Sequence, residues 1–460
     1  MTKIFLLSLG CDKNLVDGQA MLGLAESEGY TISAEEEAQV IIINTCGFIM
    51  DATEESIEHI LRLAEYKKTG SCKALIVAGC MAQRYQKEIF RELPEVDAIL
   101  GVNRLDKLPE VIKKALAKEQ TVCFSSFSSD ETNPEELYLL RKTETHFAYL
   151  KIAEGCDKNC TYCTIPQIKG RYRSRSLNSL LEEAKILANK GAKELILVAQ
   201  DTGLYGVDLY GENRLHILLR ELGKIENIKW LRLLYTYPEH ITQETLREMA
   251  TNPKVLPYLD LPVQHSHDYI LKKMGRGLSS ARLEKIIRNL RQTVPGLVLR
   301  TTIMVGFPGE KEEHFEHLQN FLKKIAFDRV GVFAYSREEN TGAAYMPNQV
   351  PEETKQYRKN LIMALQEKIS EKILGKKIGQ TLETLIDTKT KKGTVTEYQG
   401  RTYMDCYETD GFVSFESSED LNTGDFVKVK ITHSGQYDLF GELCENFENP
   451  YSKNIAKSLK

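Results

Sequence analysis

Short apolar runs alternate with amphipathic stretches of helical periodicity along the first quarter of the chain. Such runs predict buried strands, and apolar positions that recur at helical spacing predict helices. Strands that alternate with helices favour a parallel sheet with right-handed crossovers. The predicted strands are Ile4–Leu9, Val40–Asn44, Ala74–Ala78 and Ala98–Val102, and the predicted helices are Ser56–Tyr66 and Leu108–Ala117.

The alternation begins again after Ser125–Thr145, a stretch rich in Ser, Thr, Glu, Asp and Asn that predicts a polar linker at a domain boundary. Helical patterns such as Ser179–Lys190, Arg282–Val294 and Glu312–Ile325 lie between the apolar runs that follow. The pattern predicts a (β/α) barrel, full or partial, of about six units, with function at the carboxyl ends of its strands. The predicted strands are Tyr149–Ala153, Leu195–Ala199, Trp230–Leu234, Tyr258–Val263, Val298–Val305 and Val330–Ala334.

The last quarter of the chain has a different pattern. Glu352–Leu374 predicts a connecting helix whose apolar face carries Tyr357, Leu361, Leu365 and Ile369. Short β-rich runs separated by Gly, Asp and Asn turns then fill Gln380–Leu443, which predicts a small antiparallel β-barrel. The chain is therefore predicted to be an α/β multidomain protein, with an N-terminal parallel α/β domain at 1–124, a barrel domain at 142–371 and a small β-barrel at 374–446.

Composition narrows the protein class. The 460 residues are 42% hydrophobic and 27% charged, which excludes a wholly disordered chain. The net charge of −4 provides no cationic field that would indicate a nucleic-acid partner. No apolar run reaches the roughly 18 residues of a membrane span, and the N-terminus predicts a strand rather than a signal peptide. We therefore expect a cytoplasmic protein whose ten cysteines are metal ligands or buried thiols.

Cys156, Cys160 and Cys163 form a Cys-x3-Cys-x2-Cys array directly after the first predicted barrel strand. Three thiolates at this spacing suit a [4Fe–4S] cluster, in which three cysteines leave one iron open for an outside ligand. The alternatives are a zinc site or three unrelated thiols. A structural zinc site closes with a fourth protein ligand, and no nearby cysteine or histidine provides one.

Three further cysteines lie at predicted strand exits: Cys11, Cys46 and Cys80. The carboxyl ends of parallel strands share one edge of the sheet, where ligands bind. Three thiols at that edge would suit a second cluster, and the glycine beside each cysteine lets the backbone approach a bulky cofactor. The alternative is that cysteine is simply common in buried strands.

The Cys156–Cys163 array, with an aromatic residue before its last cysteine, resembles the signature of the radical S-adenosylmethionine (SAM) superfamily. The resemblance implies that the open iron binds SAM and that the cluster splits SAM reductively to give a 5′-deoxyadenosyl radical. It also implies that Tyr162 helps to seat the adenine and that Gln200 is a candidate SAM contact. Thr301–Gly309 resembles the glycine-containing region of the fifth strand beside SAM, although a strand followed by a turn also needs Gly and Pro.

The segments Ser8–Asp17, Asn44–Cys46 and Gly79–Cys80 resemble the N-terminal domain of the methylthiotransferases. The resemblance implies that Cys11, Cys46 and Cys80 bind an auxiliary [4Fe–4S] cluster, which activates or carries the sulfur. The chain departs from the family pattern after Val-Asp, where it has Gly18 and Gln19 in place of Ser/Thr-Glu, and this departure spares the ligands. The remaining cysteines match no ligand position and are predicted to be incidental or buried thiols: Cys72, Cys123, Cys406 and Cys444.

The substrate divides the family into two branches. The C-terminal barrel is similar to a TRAM domain, which grips RNA in relatives that modify tRNA. Three stretches, Gln200–Gly211, Leu234–Pro238 and Tyr437–Glu442, instead resemble the branch that methylthiolates an aspartate of small-subunit ribosomal protein S-twelve.

Charge gives physical support to the protein branch. Residues 378–446 carry six basic and thirteen acidic side chains, and an acidic barrel suits a basic protein better than phosphate. A merely solubilising surface is the alternative. The basic stretch Lys169–Arg175 favours RNA, although a carboxylate of substrate or cofactor is the simpler partner for it.

The resemblance thus implies two [4Fe–4S] clusters and two uses of SAM. One SAM methylates sulfur associated with the auxiliary cluster. The radical formed from the other takes hydrogen from the aspartate β-carbon, and the carbon radical captures the methylthio group. An electron donor such as a flavodoxin or ferredoxin is required, no catalytic residue beyond the cluster ligands is needed, and direct nucleic-acid binding is not expected. The alternatives are a tRNA-adenosine methylthiotransferase and a nonenzymatic iron–sulfur carrier or ribosome-binding factor.

Overall fold

Two parallel sheets and a closed barrel follow one another along the chain in the computed structural model, which describes residues 1–127, 133–143, 145–393 and 395–444. The first sheet has six parallel strands in the order β2-β1-β3-β4-β5-β6. Its strands are β1 (Lys3–Ser8), β2 (Thr31–Ile32), β3 (Val40–Thr45), β4 (Ala74–Gly79), β5 (Ala98–Leu100) and β6 (Thr121–Cys123). Its helices are α1 (Asp12–Ser27), α2 (Met50–Ala64), α3 (Tyr66–Thr69), α4 (Cys80–Tyr85), α5 (Glu88–Glu92) and α6 (Leu108–Leu116).

This sheet confirms the predicted parallel α/β fold. Strands β3 and β4 are buried along their whole length because helices cover both faces, and this is why they appear as unbroken apolar runs. Sequence analysis missed β2 and β6, which are short and lie at the two edges of the sheet.

The predicted linker Ser125–Thr145 is more structured than its polar composition indicates. Residues 128–132 and 144 lie outside the described part of the chain. A 3₁₀ helix at Glu135–Leu140 buries Tyr138, whose hydroxyl donates to Asp17 Oδ1 at 3.2 Å. The prediction of a plain polar linker is therefore wrong for this helix, because its few apolar side chains pack between the first two sheets.

The central domain contains the second parallel sheet, with six strands in the order β14-β13-β12-β11-β10-β7, and a two-stranded antiparallel ribbon, β8-β9. The sheet does not close, so the predicted partial barrel is confirmed. The strands of the sheet and the ribbon are β7 (Phe147–Lys151), β8 (Ala153–Glu154), β9 (Arg173–Ser174), β10 (Glu194–Val198), β11 (Trp230–Leu233), β12 (Val255–Asp260), β13 (Val298–Val305) and β14 (Arg329–Ala334). Its helices are α7 (Ile165–Lys169), α8 (Leu177–Asn189), α9 (Val207–Tyr210), α10 (Leu215–Gly223), α11 (Gln243–Thr251), α12 (Asp268–Lys273), α13 (Ser280–Thr293), α14 (Glu312–Ile325) and α15 (Glu352–Gly375).

The buried face of α15 differs from the predicted face. Tyr357 is 63% exposed, so the prediction is wrong for this residue, whereas Leu361 and Leu365 are partly buried against the core of the central domain, as predicted. The buried stripe is mostly polar because its members pair with fixed partners: Arg358 Nη1 lies 2.7 Å from Glu310 Oε1, and Gln366 Nε2 donates to the Phe327 carbonyl at 3.0 Å. The stripe consists of Lys355, Arg358, Ile362, Gln366, Ser370 and Leu374.

The C-terminal domain is a closed barrel with the strand order β15-β16-β17-β19-β18, as predicted. One of the five pairings, β17 with β19, is parallel, and the other four are antiparallel. The alternation of polar and apolar residues does not distinguish these two arrangements. The strands are β15 (Thr381–Lys392), β16 (Val395–Arg401), β17 (Val413–Ser417), β18 (Phe426–Ser434) and β19 (Leu439–Leu443).

The barrel packs on the face of the second sheet that the helices leave free. Leu195 and Leu197 of β10 point to the helices, whereas Ile196 and Val198 share a core with the barrel, as the alternation of a strand requires. Buried ion pairs cross the same contact: Glu194 pairs with Arg401, and Arg329 pairs with Asp405. The barrel is thus joined to the sheet by both apolar packing and buried charge.

Among the helices of the described residues, none is long and apolar enough to span a bilayer.

Candidate functional site

The first cysteine triad lies at the carboxyl edge of the first sheet. Cys11 caps α1 directly beyond β1, Cys46 follows β3, and Cys80 is the first residue of α4 after β4. Two of these thiols therefore sit at helix N-termini, where backbone amides have no partner within the helix. The expectation that the three strand exits meet at one edge is met.

Glycines hold this edge close-packed. Gly10 has φ +83°, and a Cβ added there would lie 2.6 Å from Cys46 Cβ and 2.9 Å from its Sγ. Gly79 has φ +89°, and its added Cβ would lie 2.4 Å from Asn44 Oδ1. Both positions need the left-handed backbone that glycine adopts without strain, and neither has room for a side chain.

Burial shifts the thiols of the first triad. It raises the pKa of Cys80 to about 12 and also raises the pKa of Cys46, while the nearby Lys169 ammonium acts in the opposite sense on both. In the metal-free protein these two thiols hold their protons, and binding of iron would displace them.

The second triad lies just beyond the ribbon strand β8. The Lys158 amide is 3.4 Å from Cys156 Sγ, and the Ile165 amide is 3.4 Å from Cys163 Sγ. Cys160 Sγ lies 3.8 Å from Arg276 Nη1 and 3.5 Å from the Tyr237 hydroxyl. Donors that converge on cysteine sulfurs are the means by which a protein sets the potential of an iron–sulfur cluster.

A single metal ion and an iron–sulfur cluster require different arrangements of the three thiols in each triad. Across residues 1–127, 133–143, 145–393 and 395–444, no three His, Cys, Asp or Glu side chains converge closely enough to hold one ion. A zinc site would require such convergence. A cubane places each cysteine on a separate iron, so three thiols per triad fit a [4Fe–4S] cluster better. In the second triad these thiols are buried or half-buried and two accept from amides, whereas in the first triad Cys11 is exposed.

The two triads lie beside the same contact between the first two sheets. Helix α7, which begins two residues after Cys163, packs against α4, which begins at Cys80. Ile168 and Val102 form an apolar cluster with Cys80. The hydroxyl of Thr164, the residue after Cys163, donates to the Phe48 carbonyl at 3.4 Å. Residues next to one triad therefore contact residues next to the other.

A buried ion network fixes this contact. Lys169 Nζ lies 3.4 Å from Asp17 Oδ2 and 3.2 Å from Glu154 Oε1, and Lys151 Nζ lies 2.5 Å from Glu154 Oε2. Burial alone would raise the pKa of Glu154, but the two ammonium groups and the Gln200 amide hold it below its usual value. The network ties α1 of the first sheet to the start of the second.

The basic stretch Lys169–Arg175 is largely internal. Arg175 is buried against Glu183, and Arg173 donates to the backbone carbonyls of Arg171 and Lys169 at 3.2 Å each. Lys169 belongs to the buried network, which leaves Arg171 as the exposed cation of the stretch. The interleaved basic pattern therefore does not form an RNA-binding face.

The two candidate SAM contacts have different surroundings. Tyr162 meets Phe307 edge-on, with ring centroids 6.4 Å apart, in an apolar cluster that includes Met274. Gln200 Nε2 donates to Glu154 Oε1 at 3.1 Å. Its Oε1 is buried and accepts no hydrogen bond within the described part of the chain, so it is free to accept one from a ligand.

Sequence analysis missed three site residues. Lys13 Nζ lies 3.5 Å above the Tyr235 ring and 3.0 Å from Asp12 Oδ1. Arg276 lies over the Tyr237 ring at 4.1 Å, beside Cys160. The position of Lys13 two residues after Cys11 was an available signal, whereas Arg276 and Tyr237 lie in loops that no local pattern connects to the cysteines.

Family models match three successive parts of the chain. The model described as "Uncharacterized protein family UPF0004" matches residues 3–101, the Radical SAM superfamily model matches residues 150–322, and the TRAM domain model matches residues 378–444.

Solved structures with a similar fold include two radical SAM enzymes. One is the radical S-adenosylmethionine methyltransferase TsrM from Kitasatospora setae with cobalamin and a [4Fe–4S] cluster bound, at a TM-score of 0.53 and 14% identity over 75% of this chain and 74% of that one. The other is the cobalamin-dependent S-adenosylmethionine radical enzyme OxsB, at 0.52 and 12% over 80% and 56%. At such identities the likeness shows the fold alone.

Curated relatives match almost the whole chain. It is 48% identical over 451 residues to the ribosomal protein uS12 methylthiotransferase RimO of Desulforamulus reducens, covering 97% of this chain and 100% of the relative. The same-named protein of Acetivibrio thermocellus is 48% identical over 96% of this chain and 98% of its own length. That of Clostridium botulinum is 47% identical over 95% and 97%. With nearly half of its residues shared along the full length of these relatives, the chain belongs to the RimO family of radical SAM methylthiotransferases.

Proposed function

We propose that this protein transfers a methylthio group to the β-carbon of an aspartate in uS12, the small-subunit ribosomal protein S-twelve. The observation that carries the proposal is the pair of cysteine triads whose neighbouring residues meet at one contact, in a chain of this family. One triad suits a cluster that handles sulfur and the other suits a cluster that generates a radical.

We assign Cys11, Cys46 and Cys80 to an auxiliary [4Fe–4S] cluster and Cys156, Cys160 and Cys163 to the radical SAM cluster. When bound and reduced, the second cluster supplies the electron that cleaves SAM. The residues of the chain have supporting roles: the amides of Lys158 and Ile165 donate to sulfur. Tyr162 offers an apolar wall for adenine, and the free oxygen of Gln200 offers an acceptor.

The setting of the reaction follows from this substrate. An electron donor such as a flavodoxin or ferredoxin is needed, and a ribosomal substrate places the reaction in the cytoplasm. The division of the chain into 1–124, 142–371 and 374–446 remains our proposal for its domain limits.

Part of the negative charge of the C-terminal barrel is internal, and this weakens the support that barrel charge gives to a protein substrate. Asp387, Asp405 and Asp410 of the acidic barrel point inwards to arginines, so they do not contribute to its outer surface. The internal pairing of Lys169–Arg175 removes the main sequence feature that favoured RNA. The proposal for uS12 therefore rests on the family more than on barrel charge.

Mass spectrometry tests the substrate. Anaerobically reconstituted protein, given SAM, a reductant, a sulfur source and either uS12 or tRNA, should add a methylthio group to the aspartate of uS12 and leave tRNA unmodified. Modified tRNA together with unmodified uS12 would reject the substrate while leaving the radical chemistry intact.

Iron content tests the ligands. The parent protein should hold about eight irons, as two cubanes of four. Alanine at Cys156, Cys160 and Cys163 should leave about four and abolish SAM cleavage. Alanine at Cys11, Cys46 and Cys80 should also leave about four, with abortive SAM cleavage retained and methylthiolation lost.

The matched control is Cys123→Ala, which removes a half-buried thiol of the same sheet outside both triads. It should keep the full iron content. A triple variant that retained all of its iron would show that the corresponding triad is not a ligand set.

A further inference from the structure

Three exposed apolar side chains form a surface beside the contact that links the two triads. Phe48 is 37% exposed, Met50 is 44% exposed and Tyr345 is 74% exposed. Phe48 lies two residues after Cys46, and its carbonyl accepts from Thr164, the neighbour of Cys163. We call this surface the rim. Phe48 is thus near the first triad in the chain and in contact with the neighbour of the second, and no single element forms the rim.

The rim borders a preformed groove. Its support is rigid because the buried carboxylate of Glu338 accepts from the Met50 amide at 2.9 Å and from Arg84 Nη1 at 2.9 Å. Gln167 of α7 donates to the Asn340 carbonyl at 2.7 Å, which ties the groove to the second triad. The groove is lined by Met50, Arg337, Glu339, Asn340, Ala344 and Tyr345.

Four exposed carboxylates belong to α2, which begins at Met50, or to the groove. Asp51, Glu54 and Glu55 are exposed in the first turns of α2, and Glu339 is exposed in the groove. Among the described residues that line the groove, Arg337 is the one cation; its Nε donates to the Ala344 carbonyl, and its charge offsets that of Glu339. An exposed aromatic and an exposed methionine are features of a protein-binding surface, and here four carboxylates and one arginine accompany them. Its negative charge suits a basic partner and opposes phosphate.

We propose that the rim and its groove bind the segment of uS12 that flanks the target aspartate. Tyr345 and Met50 contact the apolar part of that segment, and the carboxylates of α2 and Glu339 pair with its lysines and arginines. The proposal rests on the proposed function and identifies the surface that presents the substrate to the two triads. It commits to a basic protein as the occupant of the groove.

Binding of labelled uS12, followed by fluorescence anisotropy with reconstituted enzyme, tests the proposal. Tyr345→Ala should raise the Kd for uS12 about tenfold, as expected for loss of an aromatic anchor. A second variant that combines Glu54→Lys and Glu339→Lys should raise it by a similar factor at low salt and by less at high salt, because screening weakens exposed charge pairs. The KM for uS12 should rise in parallel with the Kd.

The matched control is Tyr357→Ala, which removes a tyrosine of similar exposure from α15, outside the rim. Its Kd for uS12 should equal that of the parent. Iron content and thermal unfolding should match the parent in all three variants, which shows that each has folded.

The outcomes separate the two proposals. If the parent methylthiolates uS12 and both rim variants bind it as tightly as the parent does, the rim is not the docking surface and the proposed function stands. If the parent modifies tRNA and leaves uS12 unmodified, the proposed function fails, and the assignment of the groove to a basic protein fails with it.

Discussion

At the residue scale, the position of each cysteine depends on its glycine neighbours. Gly10 has φ +83° and nearly touches Cys46, so the first triad depends on a residue that carries no chemistry of its own. Gly29 has nearly the same backbone angle, φ +86°, but a Cβ there would meet no atom within 4 Å. Alanine variants at these two positions therefore separate the effect of backbone strain from the effect of displacing Cys46, a proposed cluster ligand.

We expect Gly10→Ala to lose the auxiliary iron. Both Gly10→Ala and Gly29→Ala should cost about 1 kcal/mol of folding free energy, because L residues are strained at such φ. Only the change at Gly10 also moves Cys46, so reconstituted iron should fall from about eight to about four in that variant alone. Equal iron contents in the two variants would mean that the edge tolerates a methyl group.

At the element scale, charged side chains on the inner face of the second sheet join it to the barrel. Glu194 of β10 is fully buried and lies 2.7 Å from Arg232 of β11 and 2.5 Å from Arg401 of β16. The tryptophan at 230, the only one in the chain, meets Phe426 of the barrel edge-on with centroids 4.8 Å apart. Its fluorescence therefore reports on this contact.

Removal of the central carboxylate should loosen the barrel. Glu194→Ala leaves two buried guanidinium groups without a shared partner and should cost about 3–5 kcal/mol. Glu383→Ala, an exposed position on β15, should stay within about 0.5 kcal/mol of the parent. Urea unfolding followed through Trp230 measures both changes, and a small effect at Glu194 would argue against a network held by charge.

At the scale of the whole molecule, low pH should affect the contact between the barrel and the second sheet through two aspartates. Their pKa values are shifted in opposite directions. Burial alone would raise the pKa of Asp387, but His146 and Arg401 hold it below its usual value. Burial raises the pKa of Asp410 in spite of Arg300 and Arg329. Asp387 therefore adds stability above its unfolded pKa of about 3.9, and this contribution is lost as the pH falls through its lower folded value. Asp410 gains stability on protonation as the pH falls through its raised folded value.

The opposite pKa shifts of Asp387 and Asp410 should appear in the pH dependence of the free energy of unfolding. Asp387→Asn should flatten the acid loss of the Trp230-reported transition at and below about pH 4, where the parent loses the contribution of this carboxylate. Asp410→Asn should steepen the loss, because it removes a group whose protonation favours the folded state. Identical slopes in the parent and both variants would assign the acid sensitivity to other groups.

The sequence predicts the local parts of this structure and misses its long-range pairs. Strands such as β3 and β4 are predictable because burial on both faces leaves an unbroken apolar run. The meeting of Cys11, Cys46 and Cys80 follows from the geometry of parallel strands.

The sequence does not predict the ion pairs that join distant parts of the chain. Glu194 and Arg401 are 207 positions apart, and no periodicity connects them. The buried polar stripe of α15 misled the prediction for the same reason, since Arg358 is buried only because Glu310 lies opposite it.

The arginines that hold the barrel also bear on how proteins of this kind diversify. A barrel brought in by recombination from another protein would need carboxylates matched to Arg329 and Arg300, as Asp405 and Asp410 are here. Without them Arg329 would lose its buried carboxylate partner, and Arg300 would keep only Asp260 of β12. We therefore expect chimaeras with an exchanged barrel to fail at assembly, and new substrates to arise through substitutions in surface loops rather than through shuffling of whole modules.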